Sequence, residues 1–176
     1  MFFTKQKQKI LLHIKYMIPS RDMPEVLNIE NDNFVEFTWN KETFIHWLEQ
    51  PTCYGIIAIY EDRIVGFMLY ELCDARIQII NLAVASDFLR RGIGTQMVSI
   101  LIDKLSARQR TRICLEVRET NLGAQLFFRS NGFRAVSVLR ECYENTPEDA
   151  YVMQYKYQPT QEKTKSYLNR IARFYS

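Results

Sequence analysis

The segment that most restricts this chain is a change of hydrophobic period around two glycines. Arg76–Val84 reads as a β-strand and a short loop follows. After Arg90-Arg91-Gly92-Ile93-Gly94-Thr95, the apolar residues Ile93, Met97, Ile100, Leu101 and Leu105 recur at helical spacing. A helix that starts this way offers unpaired N–H groups and the positive end of its dipole to an anion. Gly92 and Gly94 let oxygens approach the backbone, and Arg90 and Arg91 add charge-assisted donors, so the turn suits a diphosphate. Two other phosphate motifs are excluded. A Walker A loop needs a Gly-Lys-Ser/Thr triplet, which is absent. A dinucleotide fingerprint needs a third glycine, and Met97 stands in its place. Taken alone, the pattern is also met by an ordinary glycine-containing helix start flanked by surface arginines.

The elements around the turn follow from periodicity and punctuation. Residues 10–18 read as a strand. Pro24 is expected in the first turn of a helix that carries Val26, Leu27, Ile29 and Glu30 to about Asn33. An aromatic loop follows over 34–39, and Asn40 can cap a second helix with Phe44, Trp47 and Leu48 on one face. Residues 54–60 and 64–72 are strands joined by a turn at 61–63. Residues 112–117 form a strand, 122–131 a helix ended by Gly132, and 134–143 and 151–157 two further strands. The order predicts an α/β (α+β) fold: a mixed, mostly antiparallel central sheet of about seven strands flanked by about four helices. One domain is expected over 1–158, with its core at about 10–157. Residues 159–176 form a basic tail that could be helical, with Leu168, Ile171 and Tyr175 on one side.

At 176 residues and 47% hydrophobic, the chain can bury one substantial core. No apolar run approaches the ~18 residues of a membrane span, and Lys5, Lys7, Lys9 and Lys15 interrupt what would otherwise resemble a signal peptide. No membrane partner is expected. Cys53, Cys73, Cys114 and Cys142 form no CxxC pair and no cluster with His13 or His46. No metal site is therefore expected, and reduced cysteines suit a cytoplasmic protein. Residues 1–21 carry five Lys/Arg and no acid, and residues 156–176 carry five Lys/Arg and one acid, leaving the middle net negative. Such ends are expected to be solvated tails, and nucleic acid is not the expected partner. The chain is compatible with a monomer or a homodimer.

A second block, Cys114-Leu-Glu-Val-Arg-Glu-Thr-Asn-Leu-Gly-Ala-Gln-Leu-Phe-Phe-Arg-Ser-Asn-Gly-Phe133, stands downstream of the Asn81-to-Val98 block. Together, in this order and separation, they resemble the acetyl-CoA site of the GNAT superfamily. Within it the chain looks most like the ribosomal-protein alanine N-acetyltransferases. The resemblance spans roughly residues 14–157 and includes Glu148-Asp149-Ala150. It implies acetyl-CoA as co-substrate and no metal. By the same resemblance, the backbone of Leu82, Ala83 and Val84 holds the pantetheine and acetyl carbonyl, and Arg90, Arg91, Gly92, Ile93, Gly94 and Thr95 hold the diphosphate. Leu89 departs from the Gln or Arg often found there, which removes one donor.

Glu116 matches the family's general base, Asn121 its cofactor-contacting asparagine, and Arg129 a residue that could reach the 3′-phosphate. Without the resemblance these read as an exposed or Arg118-paired glutamate, a helix cap and a solvated arginine. Phe128 stands in the cofactor site where the family has its usual general-acid tyrosine. Three readings follow: Tyr143 donates the proton, water does, or the protein binds the thioester without turnover. Tyr143 also resembles a substrate-groove tyrosine. Phe37 and Trp39 match a loop that lines the acceptor groove, and also read as core anchors. The implied reaction is direct attack in a ternary complex by a primary amine. The expected acceptor is a protein N-terminus, with ribosomal proteins among the candidates. The alternatives are a small amine, a lysine side chain, or a non-catalytic acyl-CoA-binding role.

Overall fold

The structure, a computed structural model, describes residues 10–34, 38–106, 108–142 and 147–159. Strand β1 (His13–Tyr16) leads into helices α1 (Pro19–Asn33) and α2 (Lys41–Leu48). Strands β2 (Cys53–Tyr60), β3 (Arg63–Leu72) and β4 (Arg76–Val84) follow, then a 3-10 turn at Ser86–Phe88 and helix α3 (Ile93–Asp103). The chain continues through β5 (Arg112–Arg118), α4 (Leu122–Ser130), β6 (Arg134–Leu139) and β7 (Ala150–Lys156). The seven strands make one sheet, ordered β1-β2-β3-β4-β5-β7-β6. Every neighbouring pair is antiparallel except β4 and β5, which are parallel. The crossover through α3 makes that exception, because parallel neighbours need a long connection. The expected fold class therefore stands. The expected tail helix, the first nine residues, Phe37 and Tyr143 lie outside the described residues.

β3 is the spine of the core, buried continuously from Ile64 through Tyr70. A Cβ on Gly66 would meet Met97 and Ile93 of α3, whereas the ring of Phe67 packs edge-on against Phe44 of α2 at 5.4 Å. Successive strand residues point to opposite faces, so α3 covers one face of the sheet and α2 the other. This double cover explains why β3 is an unbroken apolar run rather than an alternating one. Among the described residues no helix is long and apolar enough to cross a membrane, and no group of His, Cys, Asp or Glu could hold a metal ion.

Several boundaries differ from expectation. β1 covers only residues 13–16, β6 ends at Leu139, and the β2–β3 turn is the two residues Glu61 and Asp62, both at positive φ. Helix α1 begins at Pro19, which places Pro24 inside the helix rather than in its first turn. Asp22 explains the earlier start. Its carboxylate accepts the Ile18 N–H at 2.7 Å and is gripped by the Arg21 guanidinium. Arg21 also holds the Asp22 carboxyl below the ordinary carboxylate range. Pro19 needs no partner for a missing N–H at the first helical position.

Gly132, at φ 89°, turns the chain out of α4 so that Phe133 enters the core. A Cβ there would lie 3.2 Å from Cε2 of Tyr155. Gly132→Ala should therefore cost about 1–2 kcal/mol, from positive φ and from the ring it crowds, read as a lowered urea midpoint. An unchanged midpoint would show that this turn is not constrained.

Candidate active site

β4 and β5 stay together for only three residue pairs, Arg76, Ile77 and Gln78 facing Arg112, Ile113 and Cys114. Beyond them β4 continues alongside β3 as far as Val84, and β5 continues alongside β7 as far as Arg118. The two strands thus part in the middle of the sheet. The local cause is a bulge: Leu69 faces Asn81 and Tyr70 faces Ile79, so Ile80 is an extra residue on β4. Bulges bend and twist the strand that carries them, and this one lies two residues past the last parallel pair. The parted strands open a cleft of about 850 Å³. Residues 79–82 form one wall and residues 115–118 the other, with Asn121, Ala124 and Phe128 of α4 between them. Glu30, Phe34, Trp39, Thr120 and Glu148 complete the described lining.

The turn before α3 is arranged for an anion. Gly92 occupies the N-cap position at φ 82°, and a Cβ there would meet nothing within 4 Å, so the space over the helix start is open. The first amide with a helical partner is that of Gln96, bonded to the Gly92 carbonyl at 3.0 Å. Those of Ile93, Gly94 and Thr95 have no carbonyl four residues back within the helix. The Arg91 guanidinium is held beside the turn, 4.8 Å over the Phe88 ring. Gly94 differs from the expectation of an open backbone: a Cβ there would be 2.9 Å from Cζ of Phe127. Its missing side chain admits the α4 ring, and Ile93 is 1% exposed, a core residue offering only its amide.

The cleft matches one family. The sequence pattern of the "Acetyltransferase (GNAT) family" matches residues 23–133. This chain belongs to that family. As a member it is an acetyl-CoA-dependent acyltransferase. The "[Ribosomal protein bS18]-alanine N-acetyltransferase" of Salmonella typhimurium is 30% identical over 140 residues, covering 78% of this chain and 93% of that protein. The crystal structure of the ribosomal-protein-S18-alanine N-acetyltransferase from Escherichia coli has the same fold, with a TM-score of 0.72 at 24% identity over 85% of this chain and 96% of that one. Arabidopsis thaliana NAA60 in complex with acetyl-CoA does too, at a TM-score of 0.71 and 17% identity over 83% of this chain and 99% of that one.

On this GNAT frame the predicted residues divide into three groups. Leu82, Glu116, Asn121, Phe128 and Trp39 all line the cleft. Glu116 is exposed, and its carboxylate pairs with no described residue. The Arg118 guanidinium, an expected partner for it, instead meets Glu148 at 2.7 Å. Glu148 also accepts from the Thr120 hydroxyl, and these bonds hold its carboxyl below the usual range. Asn121 fills the cap role as well, accepting the Ala124 N–H at 3.0 Å. Trp39 faces the cleft while stacking on Trp47 at 6.2 Å and edge-on to Phe44 at 5.4 Å. Phe128 is buried between Phe127 and Phe133, at 5.0 and 5.2 Å, so the cleft wall there is apolar. Ala83 is buried, and the Val84 carbonyl accepts the Asn33 side-chain amide at 3.1 Å. Arg129 is exposed in the last turn of α4, where a cation complements the helix dipole, and is not in the cleft lining. Phe37 and Tyr143 lie outside the described residues.

Sequence reading missed Glu30. It is 1% exposed, and it accepts the Trp39 backbone N–H at 3.0 Å and the Asn81 side-chain amide at 3.1 Å. Burial pushes its carboxyl above the ordinary range, and the two hydrogen bonds oppose that push. The available signal was an acid at helical spacing with Met23 and Val26, both of them buried.

The fit of Gly94 to Phe127 can be measured. Gly94→Ala should cost about 1–3 kcal/mol by overpacking. In a double-mutant cycle with Phe127→Leu it should couple by at least about 0.5 kcal/mol. Gly92→Ala should cost about 1 kcal/mol from its positive φ and show no such coupling. Equal coupling at both glycines would contradict the distinction.

Proposed function

We propose that this enzyme transfers an acetyl group from acetyl-CoA to the α-amino group at a protein N-terminus, with a ribosomal protein as the natural acceptor class. One observation carries the reading. The cleft between β4 and β5 presents an unpaired edge of β4 on one wall and, on the other, the exposed carboxylate of Glu116, which pairs with no other described residue. The relatives whose printed names specify a ribosomal-protein alanine support the choice of acceptor.

The residues fit acetyl-CoA. In this proposal the amides of Ile93, Gly94 and Thr95, with Arg90 and Arg91, hold the diphosphate above the open Gly92. The backbone of residues 82–84 has no partner strand on the β5 side and, apart from the Val84 carbonyl taken by the Asn33 amide, can bond an extended amide-bearing chain much as another strand would. Asn121 adds a polar contact at the start of α4. The donor brings an activated thioester, and only an unprotonated amine can attack it. Glu116 takes that proton, directly or through water. Trp39 lines the acceptor side, and Phe37, outside the described residues, keeps the acceptor role that its match to the family's loop implies. No cysteine lines the cleft, and burial pushes the Cys53 thiol up to about 11, so direct transfer is favoured over an acetyl-cysteine. Phe128 has no proton for the leaving thiolate, which leaves that task to Tyr143 or to water.

Coenzyme A release with acetyl-CoA and a panel of N-terminal peptides tests the reading. Glu116→Gln should lower kcat by roughly 10²- to 10⁴-fold. Tyr143→Phe assigns the acid: a loss of about tenfold or more points to Tyr143, and an unchanged rate to water. Phe128→Tyr should raise the rate where proton delivery is limiting. Release with polyamines or lysine side chains but with no N-terminus would replace the acceptor class. No release with any amine, alongside tight acetyl-CoA binding that Glu116→Gln leaves intact, would favour a non-catalytic binding role, the reading that Phe128 motivates.

A further inference from the structure

Two charged side chains are buried among the described residues, Asp22 and Glu30. Asp22 is accounted for by the start of α1. Glu30 bonds nothing in its own helix through its side chain. Its Oε1 accepts the Trp39 backbone N–H and its Oε2 accepts Nδ2 of Asn81, fifty-one residues away. Trp39 belongs to the segment on the acceptor side of the cleft. Asn81 lies on β4 between the Ile80 bulge and Leu82. An apolar residue would fill this place on the buried stripe of α1 without the cost of dehydrating a carboxylate. Stability alone therefore does not explain a glutamate here.

We propose that Glu30 is a positioning residue for acyl transfer: its two oxygens fix the Trp39 segment to the strand that carries the thioester, so amine and thioester meet at a set separation. This rests on the acyl-transfer reading above. It is specific about chemistry, because two donors converge on two acceptors. A glutamine has one acceptor and one donor, so Glu30→Gln sets N–H against N–H at one of the two contacts. Asn81→Asp does the reverse, placing two carboxylates together. Combining them restores the pairing with its direction reversed, the amide of the first site now donating to the carboxylate of the second, at unchanged total charge.

The full-length chain and the variants E30Q, N81D and E30Q/N81D are compared in steady-state acetylation of one peptide, with acetyl-CoA binding and thermal unfolding measured in parallel. Each single variant is expected to lower kcat/KM for the peptide by roughly 10- to 100-fold, as the loss of a charged hydrogen bond and a small misplacement would. The KM for acetyl-CoA should stay within about twofold, because the diphosphate turn is untouched. The double variant should return to within roughly threefold of the parent chain. A merely structural role would lower the unfolding temperature and weaken both substrates together. The proposal is overturned by E30Q with unchanged kcat/KM, or by a folded double variant no better than either single one. The second result would place the function in the Glu30 charge itself. Where E30Q alone fails to fold, N81D and the folded double variant decide by the same comparison. A parent chain that acetylates no amine overturns the acyl-transfer reading and this inference with it. An active parent chain with an equally active E30Q overturns this inference alone.

Discussion

The separation of β4 from β5 after Gln78 is the constraint on which the rest of the molecule depends. A sheet whose neighbouring strands pair along their full length has no interior cleft, only edges and faces. Here the crossover through α3 makes the two strands parallel neighbours, and the Ile80 bulge turns one of them aside after three pairs. The outcome is an unpaired backbone edge in the middle of a seven-stranded sheet, far from the true edges at β1 and β6. Unpaired strand edges are ordinarily a hazard. This one is narrow and walled, and on the proposed reading it is completed by the amides of a ligand rather than by another chain.

Helix α4 keeps that gap from closing. Phe128 and Phe133 wedge between α4 and the sheet, and Phe127 reaches the opposite way to lie over Gly94. One aromatic helix therefore touches both the cleft wall and the anion turn, and the two ends of the proposed donor site cannot shift independently. Charge is separated along the same line. Arg90 and Arg91 mark the turn, whereas Glu30, Glu116 and Glu148 line the cleft, with Arg118 as the one cation among the described lining residues. Arg118 is engaged with Glu148. A polyanionic donor and a cationic acceptor would thus approach regions of opposite sign, consistent with steering by complementary charge.

Much of this was legible from residue order. The strand-to-helix change at Gly92 and the αL exit at Gly132 are local signals, and both stand where expected. Asn40 and Asn121 cap their helices as their positions predicted. What could not be read are properties of pairs. The Ile80 bulge exists only relative to β3, and no residue at 79–81 announces it. Gly94 looked like a second opening for phosphate, and only the fold shows that Phe127 occupies the space. Pro24 seemed a helix start because the signal two residues earlier, Asp22 reaching back to Ile18, requires knowing that Pro19 is already helical. Glu30 was only one more residue of the first helix, since its two donors lie nine and fifty-one residues away.

Phe128 and the exposure of Glu116 bear together on which amine suits the site. A leaving thiolate is already fairly stable near neutrality, since an ordinary thiol ionises around pH 8.5, so losing a tyrosine acid weakens assistance to the easier of the two proton transfers. The harder one is removal of a proton from the acceptor. An α-amino group has a pKa near 7.8 and a lysine near 10.4, so at pH 7 about one α-amine in seven is free but only about one lysine in 2,500. Glu116 stands in contact with solvent. A site built this way places little demand on an α-amine and a heavy one on lysine. On the proposed reading, the chemistry of proton removal adds to the case for a protein N-terminus.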